Sequence, residues 1–153
     1  MVVERNFGEV EHSFLQAILA TIFTNNMEAW SAFGLTEQRV QVGLRHSLVP
    51  DVCVVRLGAP AEDILTQPPL IAIEIMSPED TMRRAVKKAA ECSKFGIGHV
   101  WVIDPYARVA YRGAAKGLDR VPDGELKVDG TPIVIRIADL FEKLDRIRAT
   151  GQR

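Results

Sequence analysis

The segment Leu70-Ile-Ala-Ile-Glu-Ile-Met76 is apolar except for Glu74 and runs directly into Ser77-Pro-Glu-Asp80. A short, mostly β-branched run of this kind reads as a central strand buried on both faces. The Ser-Pro-Glu-Asp signature after it is a helix start, with Ser77 as N-cap, Pro78 at the first helical position and Asp80 three residues past the cap. The helix is predicted to run to about Phe95 and to stop at Gly96 or Gly98. A second strand follows from His99 to Asp104, then a turn at Pro105 and a partner strand from Arg108 to Arg112.

Upstream of the central strand, a Pro-containing loop from about Gly58 to Pro69 separates it from a short β-branched strand, Asp51–Arg56, entered through Pro50. Leu35–Leu44 alternates, with Val40 and Val42 on one side and Arg39, Gln41 and Gly43 on the other, which predicts a further strand. Between about Glu9 and Trp30, Phe14, Ile18 and Ile22 recur every four residues and Leu15, Leu19 and Phe23 widen the stripe, the pattern of an amphipathic helix. The tail alternates around Leu126-Lys-Val and Ile133–Ile137, a hairpin turned at Asp129-Gly130, before a short helix, Ala138–Arg146. The order of elements predicts an α/β domain built on a mixed β-sheet flanked by helices, with a C-terminal β-hairpin and short helix.

Composition bounds the function. The 153 residues suit one domain, 1–153, with an ordinary core. Nineteen Lys and Arg against twenty Asp and Glu give a net charge of -1, which excludes a histone-like polycation, so nucleic-acid contact would need a local patch. Two cysteines, Cys53 and Cys92, in apolar stretches read as reduced thiols, and the absence of a spanning apolar run or signal peptide makes a cytoplasmic protein without membrane contact the expectation. His46 and His99 have no zinc-like partners at the usual spacing. Trp101 reads as core, and Ser77 lacks the flanking glycines of a nucleophile elbow.

Glu74 is the conspicuous residue, because an ionised carboxylate in an apolar strand is costly unless a cation neutralises it. Asp51 opens the preceding strand. If the two strands are neighbours, both carboxylates reach the same end of the sheet and can serve Mg²⁺ together with water and a substrate phosphate. The plainer alternative is that Asp51 caps a turn and Glu74 pairs with an arginine. In the following helix, Arg83, Arg84, Lys87, Lys88 and Lys94 lie within twelve residues, opposed by Glu91. On a helical wheel Met82, Val86, Ala89 and Cys92 form the apolar stripe and Lys88 lies nearest to it, on an edge shared with Ala85. Lys88 can therefore turn toward the carboxylates, whereas a wholly solvated basic face is the alternative.

Pro50-Asp51, Glu74-Ile-Met-Ser77-Pro78, Lys88 and Gly96-Ile-Gly-His-Val-Trp101-Val-Ile-Asp104-Pro105 together resemble the Uma-type restriction endonucleases of the PD-(D/E)XK nuclease superfamily. Glu4-Arg-Asn-Phe-Gly-Glu-Val-Glu-His12-Ser13-Phe-Leu-Gln16 and Glu37-Gln-Arg-Val-Gln-Val42 extend the resemblance over nearly the whole chain. It implies a restriction-endonuclease-like sheet with the first helix on one face and the Lys88 helix on the other. Asp51 and Glu74 would be the motif acids that ligate Mg²⁺ or Mn²⁺. The superfamily lysine usually lies two residues after the acid, where this chain has Met76, so the resemblance assigns the role to Lys88. It also assigns His12 to the site, with Gln16 one turn later, while the wheel favours Glu11 over Glu9 as the inward-facing acid of that helix. Relatives begin with an extra segment, which implies that an N-terminal strand or hairpin is missing here and a sheet edge is bare.

The function these readings imply is metal-dependent phosphodiester hydrolysis of nucleic acid, with DNA as the polymer and a homodimer as the assembly that suits two strands. Arg83, Arg84 and Lys87 would contact backbone phosphates without reading sequence. An inactive nuclease-fold module that binds nucleic acid or a protein partner is the competing reading. A hydrolase of small phosphoesters is a third and would need a closed pocket.

Overall fold

The structure is a computed structural model that describes residues 9–114, 116–121 and 123–151. The expectation about an extra N-terminal element falls on residues 1–8 and lies outside the described residues. The chain forms helix α1 (Glu9–Asn25) and a short α2 (Met27–Trp30), then strands β1 (Ala32–Thr36), β2 (Val40–Gly43), β3 (His46–Leu48), β4 (Val52–Arg56) and β5 (Ile71–Ile75). Helix α3 (Met82–Phe95) leads into β6 (His99–Asp104), β7 (Val109–Ala114), β8 (Gly117–Arg120), β9 (Glu125–Lys127) and β10 (Val134–Arg136), and α4 (Ile137–Gly151) follows. Six strands form one mixed sheet in the order β1-β4-β5-β6-β7-β8, and β5–β6 is its parallel pair. Such a pair needs a crossover, and α3 supplies it.

The period of two along β5 divides the sheet into two unlike faces. Ile71, Ile73 and Ile75, with Trp101 and Ile103 of β6, pack against Leu15, Leu19 and Phe23 of α1 and Leu140 and Leu144 of α4. The β9–β10 hairpin adds Leu126 and Ile135 to the same core. On the other face Ala72 and Val100 meet Ala89 and Cys92 of α3, and Met76 and Val102 meet Ala85. The opposed placement of α1 and α3 agrees with the expected arrangement.

Close packing of α3 depends on Gly113. A Cβ added there would lie 2.7 Å from the Ala89 Cβ and 3.2 Å from the Val100 Cβ, so the helix could not keep its present distance from the sheet. At its far end Gly96 adopts φ 109° and its N–H bonds back into the last turn, the expected stop.

Several expectations need correction. The helix does not start at Ser77. Its N-cap is Thr81, whose Oγ1 accepts from Arg84 N, while Ser77 donates through its N–H and Oγ to Asp80 Oδ2 in a separate turn. Two acceptable cap residues lie four apart, and the Asp80 carboxylate holds the first in a turn of its own. The wheel is also shifted: Ala85 is buried and Met82 is 41% exposed. Leu35–Leu44 is not one strand, because Glu37 takes φ 56° and turns the chain out of the sheet into the separate β2–β3 hairpin. The C-terminal helix is longer than its expected end at Arg146 and continues to Gly151.

Candidate active site

The register of β4 and β5 determines where the two acids meet. Val52 lies opposite Ile73 and Cys53 opposite Ala72, so one further step of the same antiparallel ladder places Asp51 opposite Glu74. Directly opposed residues share a face and lie within side-chain contact. The Asp51 carboxylate then folds along the strand end, where Oδ2 accepts the Ile75 N–H at 2.7 Å. Glu74 belongs to the α3 face, because its neighbours Ile73 and Ile75 point into the α1 core. From α3, Lys88 Nζ approaches Glu74 Oε2 to 3.7 Å.

Burial is the main reason that the Glu74 carboxyl holds its proton to about 8, and the adjacent Asp51 charge is the next cause. Lys88 acts in the opposite sense but does not cancel them. Two carboxylates in one half-buried site cannot both ionise cheaply, and a single ammonium at 3.7 Å is incomplete compensation.

The first helix contributes through His12 and Gln16. His12 Nε2 lies 3.0 Å from Asp51 Oδ1, and that hydrogen bond raises the imidazole pKa above its ordinary value despite partial burial. Gln16, one turn along, donates to the Asp51 carbonyl at 2.8 Å and to Glu37 Oε1 at 2.9 Å. Glu11 turns inward with the apolar stripe, as the wheel expects, but toward α4 and not toward this site. Its carboxylate pairs with Arg148 of α4, since the α1 stripe packs partly on that helix and carries Glu11 with it. The Glu9 side chain lies outside the described residues.

Glu37 and Asp80 are near the site although their residue types alone did not mark them. Glu37 is held there by its left-handed backbone and by Gln16, and both it and Glu74 add to the field that favours protonated His12. Asp80 contributes to the high proton affinity of Glu74 and lines the same hollow with Arg84. The left-handed Glu37 cannot be read from periodicity. Asp80 had a signal, as the acid that closes the Ser77 turn. Met76, in the position of the superfamily lysine, is buried against Ala85 and Val102 and has no amine to offer. Arg83, Arg84 and Lys87 lie exposed along α3, and the hollow around Glu74, Asp80, Arg84 and Lys88 is too small to enclose a substrate.

Comparison with known proteins agrees with this architecture. Residues 4–112 match the family described as Uma2, putative restriction endonuclease. The crystal structure of a putative nuclease of the DUF820 group from Anabaena variabilis ATCC 29413 is similar over 94% of this chain and 87% of that one, with 25% identity and a TM-score of 0.76. No curated protein matches the chain. With the family match covering the first helix, both acids and the Lys88 helix, this chain belongs to the Uma2 family of putative restriction endonucleases.

Proposed function

We propose that the protein is a metal-dependent nuclease that hydrolyses phosphodiester bonds of DNA. The observation that carries this reading is the pairing of Asp51 and Glu74 across β4 and β5 with Lys88 directed at Glu74. The donor set fits a hard dication, since two facing carboxylates of which one resists ionisation gain from a shared 2+ charge. Among the described residues no group of three or more His, Cys, Asp and Glu side chains could hold an ion. Asp51 and Glu74 would therefore hold Mg²⁺ or Mn²⁺ with water and a substrate phosphate as the remaining ligands. When bound, such an ion lowers the pKa of water and withdraws charge from the phosphate.

The chain's own groups do the rest. Lys88 supplies a cation where negative charge grows on the phosphate oxygens. His12 and the Ile75 N–H fix the two oxygens of Asp51, and each oxygen keeps a lone pair for further ligation. Gln16 holds the backbone of Asp51 from behind, a positioning role. The open surroundings suit a polymer better than a small phosphoester, which would need an enclosing pocket. The exposed Arg83, Arg84 and Lys87 provide phosphate contacts beside the site.

Calorimetry with Mn²⁺ tests the reading. Saturable binding by the native chain, abolished in Asp51→Ala and Glu74→Ala, is expected, as is cleavage of DNA that falls roughly 10²–10³-fold in Lys88→Ala. Met76 favours the second reading, a nuclease-fold module that binds nucleic acid without cutting it. DNA binding that survives in all three variants, with no Mn²⁺ binding by the native chain and no cleavage, would establish that reading instead.

A further inference from the structure

The β2–β3 hairpin is outside the main sheet and has no part in the carboxylate site. Val40 anchors it in the α3-side core with Cys53, Ala89 and Cys92, and Val42 and Leu48 are half-buried beside it. Past that anchor, His46 Nε2 meets Glu91 Oε2 of α3 at 3.3 Å. The tip beyond is Leu44-Arg45, where Leu44 is 93% exposed. At that exposure the Leu44 side chain adds almost no burial to the fold.

A row of charged side chains, mostly cationic, runs along α3 from that tip to the site. On a helix, residues three and four apart stack on one face, so Arg84, Lys87 or Lys88, Glu91 and Lys94 form a row along α3. The row starts beside Glu74, where Arg84 and Lys88 line the hollow, and reaches the hairpin at Glu91, whose charge His46 already engages. From Lys88 to Lys94 is about 9 Å along the axis, between two and three base-pair steps of B-form DNA. Glu91 is the one acid in this row; a second copy of the surface would bring mostly like charges together, whereas a polyanion is attracted by Arg84, Lys87, Lys88 and Lys94.

We propose that the β2–β3 hairpin is a wedge for duplex DNA, with Leu44 entering the base stack while Arg45 and the α3 cations hold the flanking phosphates. Apolar side chains inserted at a base step unstack it and bend the duplex, and the bend brings more backbone onto the protein. The consequence here is that the strand is delivered along α3 toward the Asp51–Glu74 pair at a fixed distance from the wedged step. This inference rests on the nuclease reading for the polymer but not for the chemistry.

The experiment uses the full chain with Ca²⁺ in place of Mg²⁺ and short duplexes that carry 2-aminopurine at successive positions, with anisotropy for affinity. The native chain should brighten 2-aminopurine at one or two adjacent steps. Leu44→Ser should abolish the brightening and weaken duplex binding about 10-fold, while single-strand affinity and Mn²⁺ binding stay unchanged. Leu44→Phe should restore the brightening, and unchanged melting of both variants confirms that the hairpin is intact. No brightening with the native chain at any position, equal duplex affinity for native and Leu44→Ser, or tighter binding of an RNA duplex than of DNA would each overturn the wedge. Leu44-dependent brightening in a chain that binds no Mn²⁺ would refute the nuclease reading and leave the wedge standing. Cleavage of duplex DNA by Leu44→Ser at the native rate and affinity would do the reverse.

Discussion

The two faces of the sheet are built to different rules. Toward α1 and α4 the side chains are large, and Leu15, Leu19, Phe23, Trp101 and Leu140 are each fully buried. Toward α3 they are small, with Ala72, Ala85, Ala89, Cys92 and Gly113 letting the helix approach closely, and this face alone carries a carboxylate in mid-sheet. The thick face holds the fold together. The thin face gives up hydrophobic area and gains a short reach, so that Lys88 meets Glu74 from the helix. Stability and proposed chemistry are therefore separable by mutation.

The largest effect is expected on the thick face. Ile73→Ala should cost about 2–5 kcal/mol in denaturant unfolding by opening a cavity under α1, while metal affinity per folded molecule stays native. A native-like midpoint would remove the contrast between the faces. Next, Gly113→Val should cost about 1–3 kcal/mol by forcing α3 outward, and it should also lower cleavage because Lys88 moves with Ala89. Equal cleavage by native and variant would mean that the spacing of α3 does not govern Lys88.

Glu74 gives a pH test in metal-free buffer. Its folded-state pKa lies above the unfolded value, so its contribution to stability is fully present below about 4.5 and is lost as pH rises toward about 8. His12, also raised, loses its contribution in the same direction above its ordinary value. The melting temperature should therefore fall between pH 5 and pH 8 (roughly the interval between the two Glu74 values). Glu74→Gln should flatten most of that fall and gain about 1–2 kcal/mol at pH 8, and Mn²⁺ should stabilise the native chain there but not the variant. A slope unchanged in Glu74→Gln would show that the carboxyl is not the source. The smallest stability change belongs to Lys88→Ala, below about 1 kcal/mol because the ammonium is half exposed, in contrast to its effect on cleavage.

Much of this was legible in the residues. The apolar run around Glu74 marks a buried strand, and neither its neighbours nor its partner Asp51 need an alignment to be noticed, because a buried charge must be compensated. The Asp129-Gly130 hairpin and the His99–Asp104 strand follow from local turn chemistry and patterning, and both are present in the structure. What escaped depends on tertiary context. The choice between Ser77 and Thr81 as cap is made by Asp80, the break at Glu37 by a backbone angle that side-chain periodicity does not encode, and the direction of Glu11 by Arg148, 137 residues away in sequence. β8 lacked any apolar alternation and is recruited as an edge by β7.

The thin face also has a built-in reporter. Cys53 of β4 and Cys92 of α3 are buried in one cluster on this face, and burial pushes both thiols up to about 12, so neither reacts while its cover is in place. Labelling of Cys92, which α3 itself carries, by a thiol reagent then measures how often α3 lifts from the sheet. Because the same excursion carries Lys88 away from Glu74, the labelling rate gives the lifetime of the assembled site in a protein that has not unfolded.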